Sequence, residues 1–305
     1  MKHRFASHVC ETLFLQAAPV VSQEMDSEST AQQEIDEDSV FASMESLFLY
    51  MFNEILPELK GLITDTFASH TVRTLLLLLS GSPVSSATTL IQSRKKENIS
   101  LSSETISRES RDHISAVPQS FHEAVGKLLS TVCIVYSTEG LRALAVHQIG
   151  SPVLQIMLQL EMGLSKKERR KKERTEGTLL SKLTGVMQKD EAPTAAEDIA
   201  EDGKEWEEQE RNFFQNLLYD SVGSHLAESI MRHAPKRDFN LLYGRFIKSR
   251  LGSLARNETA AFVVQRVIEK LPKEGLEEAI KEILPQVPSL VGALAHPPPV
   301  INASH

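Results

Sequence analysis

Five segments of this chain repeat one pattern, and no other feature limits its fold so tightly. They are HRFASHVCETLFL from His3, DTFASHTVRTLLL from Asp65, HQIGSPVLQIMLQ from His147, DSVGSHLAESIMR from Asp220 and NETAAFVVQRVIE from Asn257. Each opens on a capping-type polar residue. Four positions later comes a small residue (Ser7, Ser69, Ser151, Ser224 or Ala261), and an apolar run follows. The small residues are separated by 62, 82, 73 and 37 residues, so the last spacing is the bare period. A period of that length marks stacked supersecondary units that cannot bury their apolar faces singly.

Amphipathic stretches precede the shared pattern, most clearly Val40 to Ile63, Phe121 to Val135, Trp206 to Leu218 and Phe239 to Ser249. Each cycle therefore reads as helix, turn, helix. Val222, Leu226 and Ile230 recur every four residues, as do Val263 and Val267, which gives one buried stripe per helix. No period-two alternation competes. The expected fold is all-α, a helical-repeat α-solenoid forming a curved array. The longer spacings are the period plus insertions, expected to be disordered at 22–39, 82–118 and 164–203. Ser22 to Asp38 holds seven acids and no base, and such segments bury too little apolar surface to offset ordering entropy. Met1 lies close before a second-type helix, and the chain closes on a further Ser304-His305 pair. Residues 1–305 therefore read as part of a longer array, truncated at both ends.

The net charge is −8. That counts mildly against phosphate contact, unless the acid sits away from the binding face. Ten acids against one base fall between Asp190 and Glu210. The opposite run, Lys166, Lys167, Arg169, Arg170, Lys171, Lys172 and Arg174, carries seven bases among two acids. It reads equally as a nuclear localisation signal, a phosphate-binding tail or a solvated charged helix. Cys10 and Cys133 lie far apart, in no metal-like spacing, and no apolar run is long enough to cross a bilayer. The recurrent histidines stand about a repeat or more apart and cannot meet on one ion. No phosphate-loop, metalloprotease or serine-hydrolase motif occurs. The expectation is a non-enzyme with no cofactor, no metal, no small-molecule substrate and no membrane.

Counted from the small residue, positions one, two and five share a helical face. Position one is Ser7, Ser69, Ser151, Ser224 or Ala261. Position two is His8, His70, Pro152, His225 or Phe262. Position five is Glu11, Arg73, Gln155, Glu228 or Gln265. A single Ser-His pair could merely cap its helix. Three copies, each with a charged residue three beyond the histidine, point instead to a shared outward task. Positions three and six are expected to face the core, position three being apolar in all repeats but that of Thr71.

The trio resembles the pumilio (PUF) repeat, in which each repeat offers one RNA base a small set of side chains. The resemblance implies base-edge contacts from positions one and five: Ser7, Glu11, Ser69, Arg73, Ser151, Gln155, Ser224, Glu228 and Gln265. It implies stacking by His8, His70, His225 and Phe262. Carried over, Ser7/Glu11 and Ser224/Glu228 prefer guanine, Ser69/Arg73 cytosine, and Ser151/Gln155 adenine or uracil, while Ala261/Gln265 is ambiguous. Pro152 departs from the pattern, since proline stacks poorly and fits a helix only in its first turn.

HRFASHVCETLFLQAAPVV, ITDTFASHTVRTLLLLLSG, NETAAFVVQRVIEKLP, SRKKEN and the basic run after SPVLQIMLQLE are similar to the fungal form of the nucleolar protein nine family. That resemblance implies a protein of the nucleus and nucleolus that binds precursor ribosomal RNA within the pre-ribosomal particle, beside that particle's proteins. It implies support of 18S maturation and small-subunit export by shielding a cleavage site. The rival from the residues alone is a HEAT- or armadillo-like protein-interaction scaffold, which the net acidity favours slightly.

Overall fold

The computed structural model describes residues 1–30, 42–82, 116–164, 177–185 and 212–287, and every regular element among them is helical. The chain divides into two compact units, Met1–Leu179 and Leu180–His305.

In the first unit the elements are α1 (Arg4–Thr30), α2 (Met44–Ile55), α3 (Leu59–Ile63), α4 (Ala68–Leu79), α5 (Gln119–Val135), α6 (Thr138–Ala145) and α7 (Gly150–Gly163). The helix α8 (Leu179–Thr184) begins at the unit boundary. The second-type helices pack side by side, α4 against both α1 and α7. Behind them Phe14 of α1, Phe48 of α2 and Phe121 of α5 form a chain of ring contacts, 5.8 Å between successive centroids. Such aromatic pairs add to simple area burial and tie consecutive repeats together.

In the second unit, residues 212–217 are helical. They precede α9 (Gly223–His233), α10 (Lys236–Leu242), α11 (Leu251–Ala255), α12 (Ala260–Lys270) and α13 (Lys273–Ile283). Again the second-type helices α9 and α12 lie together, and α11 packs on both α12 and α13. Phe214 and Phe246 meet at 4.6 Å. After α10 the chain widens into a π turn, Tyr243–Ile247, closed by the Lys248 N–H on the Tyr243 carbonyl at 2.8 Å. The turn puts two successive apolar residues, Phe246 and Ile247, into the core.

One capping device sets the start of the repeated helices. Asp65 Oδ1 accepts from the Phe67 and Ala68 amides at 2.9 and 2.8 Å. Asp220 Oδ1 accepts from Val222 and Gly223, and Asn257 Oδ1 from Thr259 and Ala260. His147 does the same through Nδ1, to Ile149 and Gly150 at 3.2 and 3.0 Å, so that nitrogen carries no proton here. In all five repeats the position-one amide donates to the carbonyl of the opening polar residue, the first helical bond. His3 keeps only this backbone bond. Its ring lies 5.7 Å from that of Phe5.

The residue just before position one is also small: Ala6, Ala68, Gly150, Gly223 and Ala260. The neighbouring turn fills the space. A Cβ on Gly150 would sit 2.2 Å from Leu144 Cδ1, and one on Gly223 2.4 Å from Leu217 Cδ1.

Three expectations need correction. A repeat holds three helices rather than two, because the short α3, α6 and α11 each precede a second-type helix. Local capping starts such a segment at α6, where Ser137 Oγ accepts from the Gly140 amide. The expected disordered insertion 22–39 begins too early. Helix α1 runs on to Thr30, and the Glu24 carboxylate accepts the Met44 amide at the start of α2 through both oxygens, at 3.0 and 2.9 Å. Within 164–203, residues 177–185 include α8, whose Leu179 and Leu183 are buried and whose Leu179 amide donates to Glu161 Oε1 at 3.0 Å. The remainder of 164–203, apart from Leu164, lies outside the described residues, as do most of 82–118, the basic run Lys166–Arg174 and the acidic stretch Asp190–Glu210.

Replacing a cap should loosen its repeat. Asp220→Ala strands two amides and is expected to cost about 1 kcal/mol, read as a lower urea midpoint at unchanged slope.

Candidate nucleic-acid interface

Position two turns outward on α1 and α4. His8 and His70 are both exposed. Position one turns inward: Ser7, Ser69, Ser151 and Ser224 are buried, and Ser7 Oγ donates to the Arg4 carbonyl. On α4, α7 and α9 the cap comes instead from the residue four earlier, Asp65, His147 or Asp220.

On α1 and α4 the trios converge. His8 Nδ1 stands 3.9 Å from Glu11 Oε2. On α4, Arg73 Nη2 donates to His70 Nδ1 at 2.7 Å, which leaves the His70 ring proton on its other nitrogen. Burial of its inner edge, the Arg73 guanidinium and then the His8 ring hold the His70 imidazole below its ordinary value, although its outer edge stays open. Arg73 is only 4% exposed; burial lowers its guanidinium and the nearby Glu11 carboxylate opposes that. Arg73 Nε and Glu11 Oε1 are shut from solvent without a hydrogen-bond partner. An orphaned donor and an orphaned acceptor at successive position fives are costly for a fold to keep.

On α7 the set closes on itself. Pro152 is the third residue of the helix, within the first turn where proline fits. Gln155 is buried and its amide donates to Ser151 Oγ at 3.4 Å.

In the second unit a carboxylate at position five is held by the next repeat. Arg266 Nε of α12 donates to Glu228 Oε1 of α9 at 2.9 Å, and Arg232 Nη2 lies 3.6 Å from the same oxygen. Arg266 Nη1 also grips both oxygens of Glu269. Burial alone would lower Arg266, but its hydrogen bonds to Glu228 and Glu269 outweigh that and raise it. His225 and Phe262 are half-buried, while Gln265 is exposed and donates to Glu269 at 3.3 Å. Lys270 closes the far end of α9: its ammonium donates to the Met231, Arg232 and Ala234 carbonyls and stands 5.2 Å over the Phe239 ring. A cation at a helix C-terminus also complements the helix dipole.

Sequence reasoning missed Arg266, Arg232 and Lys270. Arg266 occupies position six, which was expected to face the core. The available signal was the charge itself, since an arginine at an inward position demands an acid nearby. Among the described residues no cluster of three or more His, Cys, Asp or Glu side chains could hold a metal ion, and no single helix is long and apolar enough to cross a membrane.

A family model described as the NOP9-like PUF repeat domain matches residues 1–296. The chain belongs to that family. Among curated relatives, Nucleolar protein 9 of Pyrenophora tritici-repentis is 41% identical over 296 residues, and that of Arthroderma benhamiae 38% over 311. These matches take in 95% of this chain but only 39% and 40% of the relatives, so the chain spans about two fifths of their length. A solved structure described as APUM23-GGAUUUGACGG superposes with a TM-score of 0.65 at 19% identity, over 95% of this chain and 45% of that one. One described as APUM23-GGAAUUGACGG gives 0.64 at 21%. At those identities the likeness establishes the fold alone, which is the pumilio-type helical-repeat fold.

Two outcomes check this geometry in the NOP9-like chain. His70 and His233 both sit below their ordinary value of 6.5, in each case chiefly through burial. The unfolded chain therefore takes up protons first as pH falls, so stability present above pH 6.5 is lost as pH drops through the lowered folded values. The urea midpoint should fall on acidification, and His70→Gln combined with His233→Gln should flatten that fall. Arg266→Met leaves the Glu228 carboxylate short of its nearest cation and should cost about 2 kcal/mol. Glu269→Gln, on the open side of the same arginine, should cost under about 1 kcal/mol, both read by urea titration.

Proposed function

We propose that this chain binds single-stranded or partly structured RNA through positions one, two and five of its repeats. The observation that carries the reading is the shared register. The same cap sets the same helical start in successive repeats, and position two then bears His8, His70, His225 and Phe262. These side chains stack on bases, because a flat ring accepts any base face. Position five supplies the edge contacts: Glu11, Arg73, Gln155, Glu228 and Gln265. Buried Ser7, Ser69, Ser151 and Ser224 back them from one turn earlier. The orphaned Arg73 Nε and Glu11 Oε1 gain partners when either side chain swings out to a base edge. The basic run Lys166 to Arg174 adds sequence-independent, salt-sensitive attraction.

The relatives named Nucleolar protein 9 and the structures described with GGAUUUGACGG and GGAAUUGACGG support this reading. In it the chain works in the nucleolus on precursor ribosomal RNA, among pre-ribosomal particle proteins. There it supports small-subunit 18S maturation and export by covering a cleavage site, without catalysing a reaction itself. Residues 1–305 form part of a longer repeat array.

The test is a titration of fluorescent GGAUUUGACGG ribonucleotide at two salt concentrations. Binding should weaken as salt rises. His70→Ala and His225→Ala together should lower affinity about tenfold or more, since stacking contributes about 1–3 kcal/mol per base, with helicity unchanged. A folded chain that ignores this and randomised RNA at low salt would favour the protein-scaffold reading instead.

A further inference from the structure

His70 offers more than a flat ring. A guanidinium has N–H donors and no acceptor, so its contact with a ring nitrogen can run only one way. Arg73 Nη2 stands 2.7 Å from His70 Nδ1 and donates to it. Burial of the inner edge, then Arg73 and His8, hold the imidazole below its ordinary value, so the ring is neutral at neutral pH. A neutral ring that accepts at Nδ1 carries its one proton on Nε2. Among the described residues no protein group takes that proton, and His70 is exposed.

The lock on the ring is itself well anchored. Arg73 is only 4% exposed, and it lies three residues beyond His70 on the same face of α4. From α1 the Glu11 carboxylate opposes the effect of burial on the guanidinium, which favours its charged form. The His70 nitrogen answers one of its donors, whereas Nε has no hydrogen-bond partner. Of the position-two histidines, only His70 has a donor-only side chain three residues on. Beyond His8 stands Glu11, an acceptor, with Oε2 3.9 Å from His8 Nδ1. Beyond His225 stands Glu228, which Arg266 holds.

We propose that Arg73 is a positioning residue, which locks His70 with its Nε2–H outward, and that His70 donates through it to an oxygen of the RNA sugar–phosphate backbone. The acceptor follows from the shape of the ring. A histidine stacked on a base meets it with its face, while its N–H bond lies in the ring plane. Such a donor passes beside the base and reaches ribose or phosphate oxygens there. Arg73 keeps further N–H groups for a base edge, so both tasks can coexist. The inference rests on the RNA reading above, which places position two on the bound strand.

Nitrogen NMR on the isotopically labelled, RNA-free chain tests the lock. His70 Nδ1 should give the signal of an unprotonated nitrogen that accepts a hydrogen bond, and Nε2 that of a protonated one. Arg73→Met should move Nδ1 to the signal of an unbonded nitrogen. A proton on Nδ1, or an Nδ1 signal that Arg73→Met leaves unmoved, overturns the proposal. RNA titration tests the donor. His70→Phe keeps a flat ring and removes the N–H, and should lower affinity for the ribonucleotide titrated above about tenfold, as for one lost hydrogen bond to a charged group. Arg73→Met should cost less affinity beside His70→Phe than alone, because part of its effect runs through the ring. A scan of single 2′-deoxy positions, each with and without a methylphosphonate on its 3′ side, separates ribose from phosphate. One position should weaken binding to the unaltered chain and not to His70→Phe. The unaltered chain's spectrum and His70→Phe, at an exposed site, decide the matter even if the loss of buried Arg73 makes Arg73→Met unstable. A chain that binds no RNA overturns the RNA reading and this inference with it. A chain that binds RNA, with His70→Phe its equal, overturns this inference alone and leaves His70 a stacking ring.

Discussion

The arrangement rests on one small electrostatic contact, made four times over. A side-chain acceptor at Asp65, His147, Asp220 and Asn257 takes the two backbone amides that open a second-type helix. These amides have no partner inside the helix, so the cap decides where helical phase begins. Everything counted from that start inherits its direction. Position one falls inward, positions three and seven fall into the core of the later repeats, and position two falls outward or half-outward. The small residue ahead of position one lets the preceding turn close down, with Leu144 and Leu217 occupying space that a Cβ at Gly150 or Gly223 would need.

The two units treat their polar position-five residues differently. In the first, Glu11 and Arg73 lie near each other yet leave Oε1 and Nε without hydrogen bonds, and Gln155 turns to its own Ser151. In the second, Glu228 is seized by Arg266 from the next helix. A buried charge needs such a partner, because desolvation otherwise outweighs any gain from burial. The two pairs thus bind neighbouring repeats with different strength, although the sequence pattern treats Glu11 and Glu228 as equivalent.

Much of the fold was legible because it depends on local rules. The opening polar residues, the small residue four later and the apolar stripe of Leu226 and Ile230 are each helix-start or helix-face signals that need no tertiary knowledge. Pro152 fits a helix only in its first turn, and it stands there as the third residue of α7. The short helices α3, α6 and α11 were less legible: they are five to eight residues long, and at that length packing rather than periodicity decides. The start of the first insertion was misread at Glu24. Its acidity argued for solvation, whereas the carboxylate serves the Met44 amide across a gap in sequence.

By itself the sequence determined the helical repeat, its register and the residue types at each register position, since caps, small residues and apolar spacing act within a few residues of one another. Only the tertiary structure decided which of those residues stay open. Whether Ser69 is buried, Arg73 is folded back on His70, or Glu228 is held by Arg266 depends on the helix packed alongside. Burial and pairing are properties of two surfaces at once, and a pattern read along one chain supplies only the first.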